Sequence, residues 1–469
     1  MRRWSLRHRA LCSPRFARAR WARSLVGFTS WALTASLLQL ACGAADLSYS
    51  GAGGARSQGE HGRPLSRSES RRLEALLKLA EKLRGLKFRR AVPVEVEDRA
   101  SITRHLFNDI DRKDLEKARF TYAALGLLPE DIAIEDLLRT ILGEQVVGYY
   151  DPREGRLVLR DDVLAAVGSG KDHELHEAEL VIVHELVHAL QDQNLGLGKH
   201  HRQERDSDAS TAFRAVVEGD ATLAMLGYAA MRAGVPLDAF VQRPEMLKVA
   251  MQAEGSAKPS ELDGAPAILR FTLLAPYVDG VVFAASLHRR GGWRAMDRAH
   301  ALLPASTEAV LHPDKYFAGE RPEAITLPNF ESLDRTGLES VHEDTLGELE
   351  MAVYFGQSKF NPPIDLLASE GWNGDRLRVY RRRDGRSVAL WLSSWDSVQD
   401  AIEAEKAAER IRNHDLSLTQ DRHQVLRYGR ALLIVRGLNS QECTEVRRFA
   451  ERWAAVLPPK PRTLRPFPL

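Results

Sequence analysis

Apolar positions early in the chain fall on one helical face. Leu73, Leu76, Leu77, Ala80 and Leu83 recur at steps of three and four residues, and Gly85 stands where such a helix should stop. Residues 90–96 read as a strand, which Pro93 confines to a sheet edge because it donates no N–H. Helical patterns run through about 99–142 and break near Pro129. Residues 145–150 and 156–160 are β-type runs. Between them lies Asp151-Pro-Arg-Glu-Gly155, a turn in which Pro fixes φ and Gly admits a positive φ. An exposed edge of this hairpin could pair with an extended peptide, and a purely structural hairpin is the alternative. Helices are expected at 178–193, 207–232 and about 278–302. Residues 303–330, with Pro304, Pro313, Pro322 and Pro328, read as ordered loop.

The texture changes near residue 331. Runs at 376–380 and 387–392 flank Arg383-Asp-Gly385, a hairpin signal. A helix at 396–412, strands near 424–428 and 431–436 and a helix at 440–455 follow. This ββαββα order predicts a small α+β domain of unknown role. Its Trp372, Trp391, Trp395 and Trp453 read as core residues. The fold class expected for the whole chain is α+β.

Charge divides the chain unevenly. The net charge is +2, but residues 1–41 hold eight Arg and no Lys, Asp or Glu. The remainder has 58 basic and 64 acidic side chains, a balance of −6 that offers nothing to nucleic acid. A positive segment, an apolar core around 25–40 and the small Ala41 form a signal-peptide pattern. Leu40-Ala41-Cys42-Gly43 resembles a bacterial lipoprotein lipobox, with Gln39 where that family prefers Leu. The resemblance implies cleavage before Cys42 and lipidation of Cys42. The protein is then expected to be exported and membrane-attached, in the periplasm or on the cell surface. Secretion, or an uncleaved anchor, is the alternative. Of the three cysteines, Cys12 leaves with the leader and Cys42 is lipidated, so Cys443 has no disulfide partner. The expected organisation is a signal peptide at 1–41, a Ser/Gly/Arg-rich disordered tether at 42–70, a main domain at 71–330 and the α+β unit at 331–469.

The chemistry concentrates in His184-Glu185-Leu186-Val187-His188. Residues four apart share a helical face, so His184 and His188 can offer two imidazole nitrogens to one ion. Glu185 points to the side of the same site, within reach of a metal-activated water, where it suits a general base. The third ligand is expected to be Glu218, in Ala215-Val-Val-Glu-Gly-Asp-Ala-Thr222, with Asp220 as fallback. Gly219 costs about 1 kcal/mol in a helix interior, which suggests a packing reason. Arg214 is the large neighbour that would have to swing aside. His173 and His176 lack the four-residue spacing.

A His pair at this spacing followed by a distant Glu resembles the gluzincin division of zinc peptidases. More closely, Gly148-Tyr-Tyr-Asp-Pro152, Gly155-Arg-Leu157, His184 to Gln193 and Ala215 to Thr222 resemble a poorly characterised group of bacterial exported HExxH proteins. The likeness spans roughly 145–225, with weaker echoes at 304–316 and in the tail. It implies a mainly helical zincin-like metallopeptidase domain at 71–330. It also implies one zinc ion on His184, His188 and Glu218, with Glu185 as base and a peptide or protein as substrate. The chain departs from the thermolysin pattern: 29 residues separate His188 from Glu218, and Thr222 stands where that pattern has Asp. Asp192 is the candidate to orient a ligand imidazole. His312, Tyr316 and Tyr277 are the candidates to stabilise an oxyanion. A lipoprotein that keeps the fold as a non-catalytic binding scaffold is the competing reading.

Overall fold

The computed structural model describes residues 63–457, apart from 109–110, 144–146, 170–171, 256–261, 358–363, 416 and 418. The expected leader at 1–41 and Cys42 lie outside these residues. The tether expected at 42–70 is corrected at its C-terminal end, where residues 67–70 belong to a helix. Helix α1, Arg67–Arg84, opens with Ser66 as N-cap, and Ser66 and Glu69 each bond the other's backbone N–H. This Ser-x-x-Glu capping box is a helix signal present in the sequence. Gly85 closes α1 in the left-handed region, at φ 76°.

The first sheet has three strands: β1 (Val94–Glu97), β2 (Gly148–Asp151) and β3 (Arg156–Arg160). Their order is β1-β3-β2, so the strand that follows Pro93 lies at an edge. Pro93 contributes its carbonyl, which accepts the Leu157 N–H at 2.8 Å. Gly155, at φ 65°, makes the turn between β2 and β3. The helical region reads out as Arg99–Asn108, Arg112–Ala124 and Ile134–Gly143.

Three long helices carry the site: α2 (Asp172–Leu195), α3 (Ser207–Arg232) and α4 (Ala267–Ala301). α4 starts well before the expected position near 278, because Pro276 sits inside it. Proline removes one N–H donor, and the burial of Ile268, Leu269, Leu273 and Tyr277 around it outweighs that loss. α4 bends at Gly291 and Gly292, where φ and ψ leave the helical region. Among the described residues α4 alone has the length and hydropathy to cross a membrane, but it is largely buried against the rest of the protein. α3 meets α4 through two glycines. A Cβ on Gly219 would fall on the Gly280 carbonyl, and one on Gly280 on the Ala215 carbonyl. The expected loop at 303–330 holds two short helices, Thr307–Leu311 and Pro313–Ala318. Pro313 sits at the first position of the second, where a missing N–H costs nothing.

The second sheet has five antiparallel strands: β4 (Glu339–Asp344), β5 (Trp372–Arg381), β6 (Ser387–Trp395), β7 (His423–Tyr428) and β8 (Ala431–Arg436). Their order is β4-β5-β6-β8-β7. Helix α5 (Gly347–Phe355) follows β4, α6 (Val398–His414) follows β6, and α7 (Thr444–Ala455) follows β8. Along β6 the side chains alternate between faces. Ala389 and Trp391 pack with Ala404 and Ala408 of α6, whereas Leu390 and Leu392 pack with Val446 and Ala450 of α7. Trp372, Trp391 and Trp395 are fully buried, and Trp453 is partly so. Cys443 is a free thiol in this core, and burial pushes it up to about 12.

The sheet and the helices share packing. Val353 of α5 lies in one cluster with Leu273 and Tyr277 of α4. Leu125, just beyond the helix at Arg112–Ala124, lies in another with Trp372 and Trp391. The start of α3 is held by the second sheet: Asp344 accepts from Ser207 N and Oγ, and Thr345 O accepts from Asp208 N at 3.0 Å. The architecture is α+β, mainly helical, with two small sheets.

Candidate metal centre

α2 is apolar on nearly every side of its second half, so it must run through the core. Leu180, Val181, Ile182, Val183, Leu186, Val187 and Leu190 are all buried. That burial carries His184, Glu185 and His188 inward, where each polar group needs a partner. α3 crosses beside α2 and delivers Glu218. Among the described residues, His184, His188 and Glu218 form the one group of donors close enough to hold a metal, and all three are buried.

The geometry suits a small tetrahedral ion. His184 Nε2 lies 2.9 Å from His188 Nε2 and 3.1 Å from Glu218 Oε2, and His188 Nε2 lies 3.4 Å from the same oxygen. Zinc binds N and O ligands at about 2.0–2.1 Å, and tetrahedral angles then set the ligand atoms about 3.3 Å apart. The three separations bracket that value. The charge balance fits too. Burial alone would pull His188 down and push Glu218 up. Facing each other, His188 instead rises to about 10 and Glu218 falls to about 2. The trio thus holds a carboxylate and a proton, and a cation would displace the proton.

The neighbours of His188 fix its tautomer. Gln191 Nε2 faces two acceptors, Val217 O at 2.9 Å and Asp220 Oδ2 at 3.0 Å. Its Oε1 must therefore be the atom 2.9 Å from His188 Nδ1, so that Nδ1 carries the proton and Nε2 is left to ligate. Asp220 is itself gripped by Arg84 Nε at 2.5 Å and His300 Nε2 at 2.8 Å. Burial would raise the Asp220 carboxyl, but the charges of Arg84 and His300 hold it below the ordinary carboxylate range. Arg84 comes from the last turn of α1, also bonds Asp297, and lies over the Trp293 ring.

The sequence placed this supporting role on Asp192, and the structure corrects it. Asp192 Oδ2 accepts from Tyr150 Oη at 2.8 Å and from Arg90 at 2.7 Å, and Oδ1 accepts from Gly198 N. It is spent on Tyr150 of the hairpin, on Arg90 ahead of β1 and on the backbone just beyond α2. Asp220 is likewise a support for Gln191 and not a ligand.

Glu185 is fully buried, and its Oε2 accepts the backbone N–H of Tyr150 at 2.9 Å. Its charge also acts on His188. This contact alters the reading of the hairpin. β2 is an edge strand, but all four of its residues are buried and the Tyr150 N–H is already used. The N–H that a peptide paired at Tyr150 would need is therefore taken by Glu185.

Of the oxyanion candidates, Tyr277 is buried with its ring stacked 6.2 Å from that of His184. The other two bond elsewhere. Tyr316 donates to Leu302 O at 2.6 Å, and His312 Nε2 pairs with Glu348 at 2.9 Å. Arg214, one turn before Glu218, is buried and donates to Thr211 Oγ1 at 3.0 Å. Side chains at His173 and His176 lie outside the described ones.

A family model described as a domain of unknown function, DUF8575, matches residues 334–447. That stretch covers the five-stranded sheet and contains none of the four residues at the metal centre. No curated protein matches the chain, and no solved structure does.

Proposed function

We propose that this chain is a zinc-dependent peptidase with a zincin-like helical domain and a ββαββα-type unit behind it. His184, His188 and Glu218 would hold the ion, and Glu185 would be the general base. The observation that carries this reading is the convergence of three ligand atoms at tetrahedral spacing, with Glu185 buried on the same helix. A zinc ion there supplies Lewis acidity, lowering the pKa of water to about 7 and polarising a carbonyl.

The chain's own groups do the rest. Tyr150 N–H fixes one oxygen of Glu185. Glu185 takes the proton of the attacking water and returns it to the leaving nitrogen. Gln191 keeps the Nδ1 proton on His188, so that Nε2 stays a lone-pair donor. Tyr277, whose ring stacks on that of His184, would be the group that answers charge building on the carbonyl oxygen. Lipidation at Cys42 would place this hydrolase outside the cytoplasm on a membrane surface.

The competing scaffold reading uses the same three ligands. It also explains Glu185, as the acceptor for Tyr150 N–H. Glu185→Gln keeps that acceptor and removes the base, so it separates the two. The full-length chain, loaded with zinc, is incubated with a broad peptide library. The wild type should bind one zinc and cleave a defined subset. Glu185→Gln should keep the zinc and lose about 10²–10⁴-fold in rate. A wild type that carries zinc and cleaves nothing would end the proposal.

A further inference from the structure

A cavity of about 520 Å³, within the usual size range of ligand sites, is lined in part by α3 and α4, the helices that carry Glu218 and Tyr277. Its walls include Thr211 and Arg214 of α3, Leu273 of α4, Tyr122, and Asp344 and Glu350 from the sheet side. Arg214 precedes Glu218 by one turn of α3. Leu273 precedes Tyr277 by one turn of α4. Along both helices the last lining residue therefore stands four residues, a rise of about 6 Å, before Glu218 and Tyr277.

Arg214 is 7% exposed, and among the described residues it makes no ion pair. Its Nη2 donates to the neutral hydroxyl of Thr211, and its Nε has no partner. A buried guanidinium without an anion is costly. Most other buried Arg side chains here are matched: Arg84 by Asp220 and Asp297, Arg378 by Glu343, Arg436 by Asp415. Helical side chains lean toward the N-terminus, so Glu218 leans back along α3 toward the turn of Arg214, and Arg214 leans into the cavity. Across the cavity Glu350 Oε2 is also buried without a partner, while its Oε1 accepts from Tyr122 Oη at 3.3 Å.

We propose that Arg214 is the subsite for a carboxylate of the substrate, one helical turn from the metal centre. The planar guanidinium fork matches a carboxylate in two parallel bonds. The walls set Asp114, Glu204, Asp206, Asp344 and Glu350 against Lys117, Arg205 and Arg214, an excess of acids that tolerates a single negative charge at Arg214 better than the double charge of a phosphate. An extended residue spans about 3.3–3.6 Å, so one or two residues of peptide bridge the metal centre and Arg214. The carboxylate is then the free C-terminus of the leaving segment, or an acidic side chain close to the cleaved bond. Assigning it to a leaving segment rests on the peptidase reading; carboxylate binding itself does not.

Three probes separate these sources: N-acetyl-tetra-alanine as the free acid, the same peptide as its amide, and N-acetyl-tri-alanyl-glutamic acid amide. Binding is measured by calorimetry on the full-length zinc-loaded Glu185→Gln variant, in which turnover does not interfere. A charge-assisted contact should favour one acidic probe over the plain amide by about 10- to 100-fold. The free acid as winner identifies a C-terminal carboxylate, and the glutamyl amide as winner an acidic side chain. Adding Arg214→Gln should erase the preference, and Arg214→Lys should retain part of it. Melting temperature and zinc content check that these variants fold. If they do not, the comparison of acid with amide decides alone. Equal affinity for all three probes, or no binding of any, overturns the subsite. Turnover by the wild type is scored separately. A preference for one acid with no cleavage refutes the peptidase and leaves the subsite. Cleavage without preference does the reverse.

Discussion

Gln191 and His188 stand in a fixed donor–acceptor relation, 2.9 Å apart, in which the amide oxygen can only accept and the imidazole Nδ1 can only donate. The amide has no freedom to turn, because Asp220 and the Val217 carbonyl both claim its NH₂ group. Gln191→Leu keeps the side chain's bulk and removes both interactions. His188 could then present either nitrogen, and Asp220 would lose a donor. Loss of such a support typically costs 10- to 100-fold in metal affinity, so zinc should be stripped by a competing chelator at about that much lower concentration. Unchanged zinc affinity would show that the tautomer needs no such control.

Gly219 carries a second prediction. Alanine is intrinsically the better helix former by about 1 kcal/mol, and on an isolated helix the substitution would stabilise. Here the new methyl would land on the backbone carbonyl of Gly280, which cannot rotate away as a side chain would. Separating α3 from α4 should cost about 1–3 kcal/mol, more than the propensity gain. Because Glu218 is the adjacent residue, zinc affinity should fall as well. Thermal melting of Gly219→Ala with and without zinc measures both losses.

The sequence made part of this centre legible, and physics explains which part. His184 and His188 needed only helical spacing, a local property. Glu218 was found as an acidic residue on a downstream helix, now α3, with mostly small residues around it and an interior glycine that asked for a close neighbour. Gln191 was passed over for Asp192. Both lie one turn beyond His188, and local geometry does not choose between them. The choice is made by Tyr150, Arg90 and Gly198 drawing Asp192 away, and by Asp220 drawing Gln191 in. Such contacts join distant segments, as does that of His300 with Asp220. The expected strands at 376–380, 387–392, 424–428 and 431–436 fall within β5 to β8, because their alternating apolar positions serve two buried faces. β4, Glu-Ser-Val-His-Glu-Asp, has no such alternation and holds its place as an edge strand through pairing with β5. The capping box at Ser66 and Glu69 was readable and marks the helix start more sharply than the apolar pattern did.

That capping box predicts an acid sensitivity. Bonding from Arg63, with Ser66 at the cap, holds Glu69 down at about 2, against an ordinary value of 4.5. A depressed carboxyl stabilises the fold above its unfolded pKa, and the benefit is lost as pH falls through the folded value. The window is therefore about pH 4.5 down to about pH 2. Between pH 6 and pH 3 the wild type should lose about 1–2 kcal/mol that Glu69→Gln does not lose. Because α1 ends in Arg84, the same window should loosen the grip on Asp220. Denaturant unfolding of both proteins across this range is the check, and parallel curves would remove Glu69 from the account.

Asp375 gives the sharpest test of how the second sheet supports the site. Its Oδ1 accepts from Leu346 N at 3.1 Å and Trp391 Nε1 at 3.0 Å, and its Oδ2 accepts from Gly347 N at 2.8 Å and Trp372 Nε1 at 3.0 Å. Each oxygen is thus matched to two donors, one backbone N–H at the start of α5 and one tryptophan indole from the sheet. An amide in its place keeps one oxygen and points its NH₂ group at two N–H groups, whichever way it turns. Asp375→Asn should therefore destabilise by about 3 kcal/mol although it changes no volume. The strain falls next to Gly347, which packs directly on Asp208 in the first turn of α3. If the sheet steadies the ligand helix, zinc affinity should fall together with stability. A protein that melts earlier but binds zinc as before would show that α3 is held in place without help from α5.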